Sequence, residues 1–353
     1  MKYTYFFYLI LISFLLTACQ SEEEKQLEKI QLKLEHVKLE EIMAKAGKDS
    51  QSKDPLQVYH TYFKNHKNFF ASLYQIPIDS LSDELLAAEL SRFCSDKHVL
   101  KLIDTVQMAF PNNLVIDKLT PLFKRVKLHF PQYQTPKIYT FVTGFPPNPN
   151  TEGGEILDNN QVVLGNQMLG ISLELFLGDS ANYPMLMHKY MMPRVQKEYI
   201  PVAVAHKIVE QIQKPLNPAS MPNYLQRMLH QGIRQYVVKR LCPNVPDTVV
   251  FRYSNEKLEW VKMFEKNIYN EQVQFLYKQD PKLIQKYLLD RPFTADMSQE
   301  SPGRLGEYLG YKIAECYYMN AKDKQQAIID IIEMNNPFVF LEKSGYDKKM
   351  NKR

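Results

Sequence analysis

The sequence predicts an α+β fold, mostly helical, forming a single domain with a small sheet in its N-terminal half. Three observations carry this. From about residue 182 onward apolar residues recur at helical spacing with few interruptions. Strand-like segments are few, short and confined to the first half of the chain. No repeat at a fixed period and no break in composition divides the chain. Its 353 residues, 45% hydrophobic and 24% charged, can bury a sizeable core without disulfide staples.

The N-terminus sets the compartment. Met1-Lys2-Tyr3-Thr4 precedes an apolar run from Tyr5 to Leu16, and Leu16-Thr17-Ala18-Cys19 follows. A basic start, a short apolar segment and a small residue before the cleavage point make a secretory signal. The run is well short of the roughly 20 residues a spanning helix needs. Leu-Thr-Ala-Cys resembles the lipobox of bacterial lipoproteins, in which the cysteine is lipidated and becomes the first mature residue. Residues 1–18 are therefore expected to be a lipoprotein signal peptide, and Cys19 the lipid attachment site. Several acyl chains would hold the protein firmly, since each buried methylene adds about 0.8 kcal/mol. Gln20-Ser21-Glu22-Glu23-Glu24-Lys25 reads as a solvated acidic tether over 19–28, with the domain proper at 29–353.

Along the domain, Ile30-Gln31-Leu32-Lys33-Leu34 alternates as a half-buried strand does. Pro55 opens an aromatic-rich helix containing Tyr59, Tyr62, Phe63, Phe69 and Phe70, and helices follow at 81–93, 96–108 and 113–129. Phe130-Pro131 ends the last, because the residue before proline avoids the helical region. Lys137 to Val142 and Gln161 to Leu164 read as strands, with a Pro/Gly loop from Gly144 to Gly154 between them. Ile171 to Leu177 fits a strand or a short helix. Further helices are expected at 199–213, 222–240, 255–277, 281–288, 303–319 and 324–333, with Ser254 an N-cap.

Charge excludes one class of partner. The 44 Lys and Arg against 39 Asp and Glu leave +5, with the two signs interleaved and no basic stripe, so nucleic acid is not indicated. The basic run from Lys343 to Arg353 reads as a solvated tail. Cys94, Cys242 and Cys316 lack metal-ligand spacing and lie among apolar neighbours, so buried free thiols are expected.

No Gly-rich phosphate loop and no nucleophile elbow is present. The stretch closest to a catalytic motif is His206-Lys207-Ile208-Val209-Glu210. Zincin peptidases place His-Glu-x-x-His on a helix, so that two imidazoles bind zinc and the glutamate activates a water. Here Lys207 stands at the base position and Glu210 at that of the second histidine. Gln231-Gly232 falls where gluzincins carry a third ligand, and glutamine is a weak ligand for zinc. His206 and Glu210 also fit an ordinary helix-surface pair. The expectation is therefore no catalytic residue, no metal and no cofactor. The densest motif is Ser301-Pro302-Gly303-Arg304-Leu305-Gly306, continuing to Gly310. Gly303, Gly306 and Gly310 at spacings of three and four suit close approach of another element. Arg304 beside them could anchor a carboxylate.

The chain resembles the GldB gliding-motility lipoproteins of Bacteroidetes. The resemblance is carried by the lipobox cysteine, Phe130-Pro131, Pro136 to Tyr139, and Gly170 to Gly178. It continues through Tyr183, Tyr190 and Arg194 ahead of Tyr199-Ile200-Pro201, then Leu258-Glu259-Trp260 and Asp280-Pro281-Lys282. It ends on Pro292-Phe293-Thr294, Ser301 to Gly306, and Glu342 to Tyr346. That family is similar in turn to zincin-like peptidases with the zinc motif eroded. The resemblance implies a zincin-like, gluzincin-related fold and a lipid-anchored envelope protein of the outer membrane, on its periplasmic leaflet or surface. It implies a part in gliding motility or the linked type IX secretion machinery, through binding other envelope proteins without catalysis. Two alternatives stand beside it. One is a metallopeptidase using His206, Glu210 and His230. The other is a surface capture lipoprotein, suggested by Glu22-Glu23-Glu24 and by 22 Tyr and 19 Phe.

Overall fold

The computed structural model describes residues 22–144, 157, 160–165, 167–181 and 188–352. The signal peptide, Cys19, Tyr183 and most of the 144–154 loop lie outside the described residues. What is described is mostly helical, with one mixed sheet of four strands: β1 (His36–Lys38), β2 (Lys137–Phe141), β3 (Val162–Gly165) and β4 (Met168–Ser172). The order is β1-β2-β4-β3. β1 and β4 flank β2 in parallel, and β3 closes the edge antiparallel to β4.

The two central strands are buried along almost their whole length, as expected of parallel strands covered on both faces. Helices between β1 and β2 cover one side, and an aromatic cluster seals them to the sheet. The Phe69 ring stacks on Tyr139 at 4.5 Å and meets Phe141 edge-on at 5.2 Å. Gly170 on β4 admits that cluster, since a Cβ there would sit 3.0 Å from both Phe69 and Phe141.

The helices at Asp83–Ser95, Lys97–Ala109 and Leu114–His129 match the expected spans to within two residues. Ser82 and Asp96 cap the first two through their side chains. The segment 171–177 is both things the sequence allowed, the end of β4 followed by a 3₁₀ turn at Leu173–Phe176.

Five expectations change. The aromatic-rich helix opened by Pro55 is two, Pro55–Tyr62 and Lys67–Tyr74, with a 3₁₀ turn at Lys64–His66 between them. The 30–34 strand is absent. Leu34 is buried and Leu32 packs on the core, which explains the alternation, but pairing to β2 begins at His36 opposite Ile138. The 255–277 helix is two, Asn255–Met263 and Glu265–Val273, broken at Phe264 where the ring tilts against Trp260 at 4.8 Å. The acidic run read as a solvated tether is a helix, Glu22–Lys29, with Leu27 buried. Its Glu23 lies 2.5 Å from Arg240 and 3.7 Å from His129. The basic tail is also helical at Tyr346–Lys352, held by buried Tyr346 and Met350. Helices at Leu39–Asp49, Asp247–Phe251 and Pro337–Ser344 complete the inventory the sequence did not anticipate. Cys94 and Cys242 are buried free thiols, both pushed up to about 12 by burial, and Cys316 is free and partly buried.

The second half is organised by one crossing. The long helix Tyr224–Leu241 carries a capping box of Asn223 and Gln226. It packs against Leu305–Asn320 with Gly232 facing Gly310. A Cβ on Gly232 would lie 2.2 Å from the Gly310 carbonyl carbon, and one on Gly310 would lie 2.4 Å from the Met228 oxygen. Gly306 lies under the Tyr224 hydroxyl and Leu288 in the same contact. Gly303 precedes the helix and lies against Arg291 backbone, so the three glycines serve two contacts and do not form one stripe.

Gly232→Ala and Gly310→Ala are each expected to destabilise the protein by about 1–3 kcal/mol or more, because backbone cannot move aside as a side chain can. Thermal melts of the two variants check this, and a melting temperature equal to wild type would contradict the contact.

Candidate functional site

The helix Ile200–Ile212 starts with Pro201 in its first turn and is apolar on most sides, so most of it is core. His206, Lys207 and Glu210 turn to its remaining face. That face meets Gln231 and Arg234 of the long helix across a cavity of about 450 Å³. The far wall holds Arg252, Asp290, Arg304 and Glu307, and Arg194 and Tyr199 close one side. The four residues that the sequence reading set beside a zinc motif, His206, Lys207, Glu210 and Gln231, thus line one cavity, together with Arg304 of the glycine-rich motif. His230 does not line it. Its Nε2 lies 3.3 Å from the Lys214 carbonyl. Gly303, Gly306 and Gly310 also lie outside the lining and shape the backbone that carries Arg304. The Pro302 carbonyl accepts from the buried Thr294 hydroxyl at 2.7 Å.

Arg304 is the structural centre of the far wall. It is buried, and it adopts a left-handed conformation at φ 56°, as Arg252 does at φ 59°. Such geometry costs a non-glycine residue about 1–3 kcal/mol and is retained only where surroundings enforce it. Its Nε donates to Asp290 at 3.1 Å, Nη1 to Glu307 at 2.8 Å and Nη2 to the Phe251 carbonyl at 2.7 Å. The guanidinium lies 5.0 Å from the Tyr253 ring, and the Tyr253 hydroxyl donates to the Gly303 carbonyl at 2.8 Å. Arg252 reaches the same Glu307 oxygen at 2.7 Å, and Arg194 stands 3.5 Å from Asp290. The expectation that Arg304 anchors a carboxylate is met by two of the chain's own.

Burial alone would raise the Asp290 and Glu307 carboxyls. The arginines outweigh it and hold both below the ordinary range, so both are ionised at neutral pH. His206 goes the other way. Burial, then the fields of Arg252, Arg234, Arg194 and Arg304, lower its pKa well below 6.5. The imidazole is neutral, and its shielded Nε2 has no hydrogen-bond partner. Gln231 Oε1 and Arg252 Nε are likewise shielded and unpartnered. At the mouth, Glu210 is half exposed. It stands 3.8 Å from Lys207 and 3.6 Å from Arg234, longer than hydrogen bonds.

Sequence reasoning missed Arg252, Asp290 and Glu307 as site residues. They come from three separate segments, and only Glu307, three residues after Arg304, lies within local reach of the motif the sequence singled out. The one available signal was Arg304 among glycines, which the fold turns into the hub of that cluster.

The family model described as gliding motility protein GldB matches residues 20–348. No curated protein and no solved structure matches the chain.

The contribution of His206 to stability is expected to fall as pH drops below 6.5, because the unfolded chain then takes up a proton that folded His206 refuses. Relative to His206→Gln, the wild type should lose up to about 2 kcal/mol by pH 5. Denaturant midpoints of both proteins at pH 7.5 and pH 5 measure this, and a gap that does not change with pH would show a normally titrating histidine.

Proposed function

The chain belongs to the GldB family of gliding-motility lipoproteins, and from that premise we propose a lipid-anchored envelope protein that works by binding other proteins of the gliding apparatus and the linked type IX secretion machinery. The outer membrane is the proposed site of anchoring. Among the described residues no helix is long and apolar enough to cross a membrane, which agrees with attachment through Cys19.

The observation that carries the binding reading is the cavity itself, which is conspicuous in form and unsuited to hydrolysis. In the proposed descent from a zincin, His206, Lys207, Glu210 and Gln231 occupy the metal and base positions on two facing helices, the arrangement such an ancestry would leave. Their chemistry does not fit zinc. Lys207 offers no carboxylate base, Glu210 is shared by Lys207 and Arg234, and Gln231 brings no charge. Four arginines lower the proton affinity of His206, and the same fields oppose a divalent cation. The metallopeptidase alternative also needs His230, which points to the Lys214 carbonyl outside the cavity.

Two measurements bear on this reading. Affinity capture from crosslinked envelopes is expected to recover gliding or secretion components, whereas recovery of only polymers or nutrients would favour a capture lipoprotein. Elemental analysis of the purified protein, dialysed against trace zinc, is expected to show no zinc that depends on His206. Near-stoichiometric zinc lost in His206→Ala, with chelator-sensitive peptide cleavage, would restore the peptidase reading.

A further inference from the structure

The cavity is unbalanced in two ways at once. Among its described lining residues, the five cations Arg194, Lys207, Arg234, Arg252 and Arg304 face three carboxylates, Glu210, Asp290 and Glu307, an excess of two positive charges. His206 adds none, being neutral. The donors are not equally committed. Arg304 is engaged on Asp290, Glu307 and backbone. Arg234 gives Nε to Gln213 at 3.4 Å, and its Nη1 and Lys207 share one half-exposed carboxylate at more than hydrogen-bond distance. Arg252 gives Nη2 to Glu307 and keeps Nε without a partner. Beside these donors stands the opposite need, since Gln231 Oε1 is a buried acceptor that nothing answers.

A bare anion satisfies only half of this. A simple carboxylate brings acceptors for the cations and no donor for Gln231, and hydrogen phosphate, though its O–H can donate, leaves the apolar wall of the cavity unfilled. The ligand needs a carboxylate with an N–H close to it, which is the chemistry of a peptide's last residue. Arginine's planar fork suits a carboxylate, and capture of a terminal carboxylate by such donors is a known mode of peptide recognition. Leu157, Val162, Ala203, Leu288 and Leu289 supply apolar wall for a terminal side chain. The volume of about 450 Å³ lies within the range of ligand sites. The partly exposed Lys207, Glu210 and Arg234 mark the mouth, through which the rest of the peptide leaves.

We propose that this cavity binds a protein or peptide by its free C-terminal residue, the carboxylate held among Lys207, Arg234 and Arg252 and the adjoining amide N–H donated to Gln231. The assignment rests on the partner-binding reading and names the feature recognised.

The test uses the purified full-length protein in detergent and two pools of fluorescent pentapeptides of mixed composition, one ending in free acids and the other in carboxamides. The acid pool is expected to bind at least about tenfold more tightly. Arg234→Gln and Gln231→Leu are each expected to weaken it by about five- to thirtyfold with thermal melts unchanged. Arg234 and Gln231 stand three residues apart on one helix and are substituted separately, so one misfolded variant leaves the other to decide. Equal binding of the two pools overturns the proposal. So does binding of neither at about millimolar peptide, or displacement by inorganic phosphate in preference to acid peptides. An N-acetylated amino acid binding as tightly as the acid pool overturns a peptide ligand in favour of a small acyl amino acid. Failure here with intact capture of gliding components overturns this site and leaves the partner-binding reading standing. Loss of capture with intact acid-selective binding does the reverse.

Discussion

The contact between Gly232 and Gly310 governs the second half of the molecule. With no side chain on either residue, the helices Tyr224–Leu241 and Leu305–Asn320 touch backbone to backbone. That closeness fixes where each helix presents its polar residues. Gln231 and Arg234 flank Gly232 on one helix, and Arg304 and Glu307 stand at the head of the other. A larger residue at the crossing would separate the two rows and open the cavity between them. Two glycines in helices cost about 1 kcal/mol each in propensity, and the tight crossing offsets this with buried contact along both helices.

The same crossing makes possible a charge cluster that few cores contain. Removing an ion from water costs several kcal/mol, and pairing recovers that only where geometry is good and the remaining hydrogen bonds are made. Arg304 meets the condition, with two carboxylates, a carbonyl and an aromatic face around it. Arg252 meets it only in part, since its Nε stays unanswered. Left-handed backbone at both arginines adds further cost. A fold seeking stability alone would place apolar side chains here, often at no loss. Cost collected on one wall of a cavity, with polar atoms left unmatched, is the pattern of a site kept for something that enters it.

The sequence revealed most of the fold because its helices have strong local signals. Ser82, Asp96, Asn223 and Ser254 cap, and prolines open helices at Pro55, Pro201 and Pro281. It failed where tertiary packing decides. The alternation at 30–34 marks residues leaning on the core, while strand pairing starts at His36 because Ile138 lies opposite it. The acidic run at 22–24 has the composition of a tether, yet Glu23 finds Arg240 and His129 far along the chain. The cavity was half legible. His206, Lys207, Glu210 and Gln231 stood out because a zinc motif has fixed spacing. Arg252, Asp290 and Glu307 did not, because an ion cluster assembled from distant segments has none.

The docked N-terminal helix ties the start of the described chain to the helix that lines the cavity. Cys19, where the sequence predicts the lipid, precedes Glu22 by three residues, a reach of at most about 10 Å. From there Glu22–Lys29 lies against the body, with Leu27 buried. His129 at 3.7 Å and the hydrogen bond and charge of Arg240 hold the Glu23 carboxyl down at about 2, against the upward pull of burial. Stability from this contact is present above the unfolded carboxyl's pKa and is lost only as pH falls toward 2, so the helix stays ionically docked at neutral pH. Arg240 belongs to the long helix that also carries Gln231 and Arg234, about 14 and 9 Å back along its axis. One rigid element therefore bears both the clamp beside the anchor and the wall of the cavity. A lipid on Cys19 would hold this domain close to the membrane surface, with the cavity at a set distance from the clamp.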